Sequence, residues 1–239
     1  MKRLIHILLV VVIATISATA QTTTENYVKT TTYQKEFTLE SAATSAEDKI
    51  ESVTYFDGLG RPKQSVAVQA SPNQKDIITP IAYDDFGRQN KEYLPYEATT
   101  NNASYKTDAF EAVLDFYDTS KYENTQNPYS EKMFEASPLN RVLKQAAPGA
   151  DWVMGSGHEI KSEYTANTNQ DAVVMYDVSF VNNDRSQPRL TTSGSYAVGE
   201  LYKSITKNEN HTGTTSKDNT VEEFTDKQGR VVLKRTYNN

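Results

Sequence analysis

Few residues in this chain combine the types and spacing that chemistry requires. His158 follows Gly155-Ser156-Gly157 and precedes Glu159, with Asp151 nearby in sequence. Serine, histidine and a carboxylate are the parts of an acyl-transfer site. Neighbours along a chain do not thereby acquire triad geometry, in which each group must be oriented by the next. The preferred reading is a Gly-Ser-Gly turn with His158 capping or stacking in it. Carboxylates gather at Asp84-Asp85, Asp115/Asp118 and Glu222-Glu223. A calcium loop needs several at short alternating spacing with glycine, and Asp57-Gly58-Leu59-Gly60 has one. The same segment lacks the following helix and the Lys-Ser/Thr pair of a phosphate loop. Tyr93, Tyr96, Trp152 and Tyr202 could form an aromatic platform for sugars, although tyrosine in a sheet is more often structural. Cysteine is absent, which removes thiol nucleophiles, thiolate ligands and disulfides. No catalytic residue, metal or cofactor is expected.

The strongest pattern is instead repeated: an aromatic, Asp, two residues, Gly, Arg. It occurs as Phe56-Asp57-Gly58-Leu59-Gly60-Arg61, Tyr83-Asp84-Asp85-Phe86-Gly87-Arg88 and, with one residue before the Asp, Phe224-Thr225-Asp226-Lys227-Gln228-Gly229-Arg230. Aspartate can accept a hydrogen bond from the backbone two residues on. Glycine three residues after it takes positive φ without strain. A turn ending in a left-handed residue gives the one-residue bulge that suits a hairpin's twist. The arginine opens the return strand, where its planar guanidinium can reach the turn aspartate or a neighbouring unit's carbonyls. Phe134 to Lys144 holds a degenerate copy, in which Asn140 replaces the glycine before Arg141. Thus Asp57, Gly60, Arg61, Asp84, Gly87, Arg88, Asn140, Arg141, Asp226, Gly229 and Arg230 are expected to be structural turn residues. Each has a structural task, which argues against catalysis there.

The elements that must carry these turns alternate with period two. Strands are expected at 27–39, at 50–55 and 62–70 around the first turn, and at 77–83 and 89–94 around the second. Others are expected at 159–165, 173–181, 199–205, 221–225 and 231–237. One segment has a helical period: Phe110, Val113, Leu114 and Tyr117 form a stripe, with Thr107 as N-cap and Asp108 in the first turn. A short helix at about 107–119 should pack this stripe on a sheet. The fold class is therefore mainly β, antiparallel hairpin repeats with one short packed helix.

The N-terminus reads as an export signal. Lys2 and Arg3 precede an apolar run from Leu4 to Ile16, and Ala18-Thr19-Ala20 is a small-x-small cleavage site before Gln21. A run of this length is short for a bilayer span. The expected organisation is a signal peptide at 1–20, a β-rich domain with hairpins at 21–150, and a strand region at 151–239 ending in one repeat. Such a chain would be secreted or on the cell surface, with no membrane contact after cleavage. The formal charge is −6, and losing Lys2 and Arg3 makes it −8; no basic patch suggests a nucleic-acid partner. Mean hydropathy is −0.66. The 15 tyrosines set the chain apart from disordered polar sequences.

The hairpins resemble the tyrosine–aspartate (YD) repeats of RHS proteins. The ordered set is closer to one module: Tyr55 to Pro62, Tyr83 to Arg88 with Lys91 to Tyr96, Asn127-Pro128-Tyr129-Ser130, Ser137 to Arg141, Pro148-Gly149 and Gly155 to His158. It is similar to the N-terminal domain of unknown function of exported Bacteroidetes proteins that run on into RHS repeats. The resemblance covers about Tyr27 to Tyr237, with the start of a repeat array from Phe224 to Tyr237. It implies a non-enzymatic capping module of a repeat sheet, which in longer relatives often encloses a toxin or effector. The implied partners are further RHS/YD repeats, in the same chain or a downstream gene product. Surface glycans are the partners under the alternative, a carbohydrate- or cell-surface-binding β-module. A hydrolase is the second alternative.

Overall fold

The computed structural model describes residues 22 and 24–238; the expected leader at 1–20 and the cleavage point before Gln21 lie outside the described residues. The fold is mainly β and antiparallel, with one short α-helix. The chain divides into two compact units, the first ending at Tyr129 and the second beginning at Ser130.

Unit 1 holds β1 (Asn26–Tyr33), β2 (Lys49–Phe56), β3 (Pro62–Ala67), β4 (Ile77–Pro80), β5 (Lys91–Tyr93), β6 (Tyr96–Glu97) and α1 (Ala109–Tyr117). The sheet order is β1-β2-β3-β4-β6, with every pair antiparallel. Every second residue faces inward, as the pleat requires: Val53 and Tyr55 on β2, Gln64 and Val66 on β3, Ile78 and Pro80 on β4. Ala109 and Val113 of α1 join the same core. Asp76, fully buried, accepts the N–H groups of Gln69 at 3.0 Å and Ala103 at 2.7 Å, and both residues have left-handed φ. A buried carboxylate thus pins two strained loop residues from inside the core.

Unit 2 holds β7 (Tyr129–Phe134, whose first residue closes unit 1), β8 (Val142–Ala146), β9 (Ile160–Ala166), β10 (Val174–Phe180), β11 (Pro188–Ser195), β12 (Tyr202–Lys207), β13 (Thr220–Thr225) and β14 (Val231–Tyr237). Its main sheet follows the order β14-β13-β12-β9-β8-β7, while β10 and β11 form a separate exposed hairpin. Val173, Leu201 and Phe224 form its small apolar core.

Several local expectations need correction. The first strand stops at Tyr33 rather than 39, because its partner strand ends opposite it at Lys49. Beyond the pair, Asp48 accepts the N–H groups of Thr44 and Ser45 and bends the chain away. The helix begins after Asp108, with no side-chain cap from Thr107. Its core-facing side is Ala109 and Val113, buried, with Ala112, Phe116 and Tyr117 half-buried beside them, whereas Phe110 and Leu114 are 41% and 38% exposed. Val113 and Tyr117 of the expected stripe do face the core, while the small Ala109 and Ala112, rather than Phe110 and Leu114, complete that side. Around the second turn, pairing reduces to a single bridge between Ile81 and Glu92. Strand β11, rich in Thr and Ser with a leading Pro, was not expected.

Candidate functional site

The three D-x-x-G-R turns share one set of hydrogen bonds. At the first, the N–H of Asp57 donates to the Arg61 carbonyl at 2.9 Å, and the N–H of Gly60 donates to the Asp57 carbonyl at 3.0 Å. Asp57 Oδ1 accepts the N–H groups of Leu59 and Arg61, each at 2.9 Å, and Oδ2 accepts Arg61 Nε at 2.8 Å. Asp84 accepts from Phe86 N, Arg88 N and Arg88 Nε at 3.0, 2.8 and 2.8 Å. Asp226 accepts from Gln228 N, Arg230 N and Arg230 Nε at 2.9, 2.9 and 2.7 Å. Gly60, Gly87 and Gly229 have φ of 76°, 76° and 81°. The register slips beside the first and third turns, between Tyr55 and Phe56 and between Phe224 and Thr225.

The fourth turn does the same work with different residues. The N–H of Glu135 donates to the Arg141 carbonyl at 2.9 Å, and Asn140, with φ of 52°, donates its N–H to Ser137. Two side chains divide the aspartate's task. Ser137 Oγ accepts the N–H of Leu139, while the Glu135 carboxylate accepts Arg141 N, Nε and Nη2. The longer carboxylate suits a loop two residues longer. Sequence reasoning found Asn140 and Arg141 but missed Glu135; its signal was a carboxylate six residues before the arginine.

These carboxylates are all held in the charged form. The Arg141 side chain, aided by Ser137 and against some desolvation, lowers Glu135 from 4.5 to about 2. Asp57 and Asp226 are lowered chiefly by the backbone N–H groups of Arg61 and Arg230. At Asp84 desolvation opposes, and the bonds from Arg88 and Phe86 outweigh it. The turn thus spends its carboxylate on internal bonds, leaving it ill placed for proton transfer.

In unit 2 a cleft of about 360 Å³ is lined by Ser130, Gln145, Trp152, His158, Ile160 and Glu209 among others. The Trp152 and His158 rings lie 5.3 Å apart, tilted by 57°. His158 Nδ1 lies 3.3 Å from the main-chain carbonyl of Glu209, and Ser156 Oγ accepts the His158 backbone N–H at 3.4 Å. Glu159 is buried and accepts the Gly155 N–H at 2.6 Å, with Lys144 and Lys161 at 4.0 and 3.8 Å. The imidazole therefore meets a carbonyl where a triad would place a carboxylate. The four residues of the aromatic platform are dispersed. Tyr96 is buried in the unit 1 core, and Tyr93 packs on Phe110 and Tyr129. Trp152 lines the cleft, and Tyr202 is exposed on β12.

Of the carboxylate clusters, Glu222 is taken up by a buried ionic network. Lys203 Nζ lies 2.7 Å from Asp171 Oδ1 and 3.2 Å from Glu222 Oε1, and Lys217 reaches Glu222 at 2.9 Å. Arg235 Nη2 donates to the Asp171 carbonyl, and the Tyr237 hydroxyl donates to Glu222. Burial pushes Asp171 and Glu222 upward, and the lysines overcome it, aided at Asp171 by Thr168, so both are lowered. Among the described residues no three His, Asp or Glu side chains are placed to hold a metal ion.

A family model described as a domain of unknown function (DUF6443) matches residues 29–166, more than half of the chain. The chain belongs to this family. The DUF6443 match contains the turns at Asp57, Asp84 and Glu135 together with the Trp152–His158 cleft, while the Asp226 turn and β12 to β14 follow it. No curated protein matches the sequence.

Proposed function

We propose that this chain is a non-enzymatic structural module, the exported N-terminal part of an RHS/YD-repeat protein, which begins and caps a sheet of hairpin repeats. The observation that carries the reading is the identical bonding of Asp57, Asp84 and Asp226 within their turns. Residues that in another setting could perform acid–base chemistry are here committed to chain reversal. The last such turn leads into β14, which pairs with β13 on one edge and with no described strand on the other. Open edges invite pairing with another strand. In sedimentation velocity the chain from Gln21 should associate as its concentration rises, and a Val231→Lys/Thr236→Lys variant, with charges on that edge, should not. A chain that stays monomeric at high concentration would overturn the open-sheet reading.

A second reading, binding of surface glycans, is favoured by one observation: Trp152, 39% exposed, lines a cleft beside His158, Gln145 and Ser130. Trp152 is the sole tryptophan, so its fluorescence reports occupancy. Saturable change with an oligosaccharide panel supports that reading, and a silent panel removes it.

A further inference from the structure

Two turns carry a second device that links each to the strand after it. Arg61 Cζ lies 4.4 Å from the centre of the Tyr83 ring, and the Tyr83 hydroxyl donates to the Pro62 carbonyl at 2.9 Å. Arg141 Cζ lies 4.6 Å from the centre of the Tyr164 ring, and the Tyr164 hydroxyl donates to the Val142 carbonyl at 3.2 Å. In both cases the acceptor is the residue directly after the arginine. In both, extending the strand register sets the tyrosine directly opposite the arginine: Ser65 pairs with Thr79 in β3–β4, and Lys144 with Lys161 in β8–β9. The guanidinium is gripped along its edge by the turn's own carboxylate and on its face by a ring, Tyr164 on β9 or Tyr83 just past the end of β4, a combination that its planar charge permits.

Arg230 has only the first half of this arrangement. Asp226 and Gln228 hold its edge. Among the described residues no ring is stacked on it, and its side chain is 75% exposed, against 37% for Arg61 and 42% for Arg141. Val231, the counterpart of Pro62 and Val142, is 54% exposed and opens β14, while β3 and β8 are paired along both edges.

We propose that the free edge of β14 receives one antiparallel strand bearing a tyrosine opposite Arg230. The ring would stack on the guanidinium and the hydroxyl would donate to the Val231 carbonyl. The inference rests on the repeat-sheet reading and narrows it: the partner is the leading strand of a further hairpin unit, recognised by one tyrosine at a fixed register. A second copy's β14 can pair along this edge only weakly, at high concentration, because its tyrosine, Tyr237, already donates to Glu222 and contacts Lys217.

The test is an NMR titration of the ¹⁵N-labelled chain from Gln21, at a concentration where it is monomeric, with a peptide of residues 159–167. This is the strand that carries Tyr164. Alternate β14 amides and the Arg230 Nε–H should shift saturably. A peptide with Tyr164→Ser should bind about tenfold more weakly, the scale of a stacked cation and ring. In an Arg230→Gln chain of unchanged amide dispersion, that preference should vanish. Equal binding of the two peptides, or a preference that survives Arg230→Gln, would sink the tyrosine clamp. If sedimentation still shows association that the edge lysines suppress, the open-sheet reading survives that failure. Shifts confined to residues outside β14 would overturn the docking edge itself, and self-association through β14 that saturates at a lower concentration than peptide binding does would make a second copy the preferred occupant.

Discussion

The two units use the same turn but fill their interiors with different material. In unit 1, Val53, Tyr55, Val66 and Ile78 of the sheet pack with Val113 of α1, and the buried Asp76 carboxylate accepts main-chain N–H groups. In unit 2 the apolar centre shrinks to Val173, Leu201 and Phe224, and buried charges adjoin it. Lys203 lies 5.2 Å and Arg235 5.4 Å from the centre of the Phe224 ring. The D-x-x-G-R turn therefore does not dictate the core beside it. Its bonds close within five residues, so either interior can be built on it. The contrast makes unit 2 dependent on a complete ionic network, since removing one member strands the others away from water.

The sharpest test of that contrast is Lys203→Ala. It leaves Asp171 and Glu222 buried without their shared cation and should destabilise unit 2 by about 3–5 kcal/mol. Trp152 fluorescence during denaturant unfolding reads this directly. The unit 1 counterpart is Ile78→Ala, a pure cavity expected to destabilise that unit by about 2–5 kcal/mol, read by tyrosine near-UV dichroism. Equal sensitivity of both probes to both substitutions would erase the distinction between the interiors.

Smaller effects probe the shared turn. Gly87→Val places a Cβ 3.0 Å from Arg61 Nη1 at a φ of 76°. It should destabilise by about 1–3 kcal/mol through backbone strain, measured as a fall in the denaturation midpoint of unit 1. The least effect concerns pH. Glu135 is lowered in the fold from 4.5 to about 2, so its contribution is complete above pH 4.5 and is lost as pH falls from there towards 2. Glu135→Gln should flatten the acid limb of the stability profile in that window and leave the slope above pH 5 unchanged.

Legibility in the sequence followed the distance over which bonds act. The turns at Asp57, Asp84 and Asp226 were readable because aspartate, glycine and arginine meet within one short loop. Glu135 escaped because its spacing to Arg141 widened from four to six. The helix was readable as an element, with Val113 and Tyr117 on its core side, but the small Ala109 and Ala112 that complete that side were passed over for the larger Phe110 and Leu114. The Arg61–Tyr83 and Arg141–Tyr164 stacks link residues more than twenty positions apart, and the Lys203–Asp171 pair spans 32. Such contacts follow from strand register, which no local pattern reveals.

Amide hydrogen exchange along β14 compared with β3 tests the central proposal most directly, that β14 presents an open edge to a further strand. β3 lies between two strands and β14 has one described neighbour. In the monomeric chain from Gln21, alternate amides of β14 should exchange near the rate of unstructured chain, while those of β3 stay protected on both sides. Uniform protection along β14, equal to that of β3, would mean that the edge is already sealed, and would contradict the account.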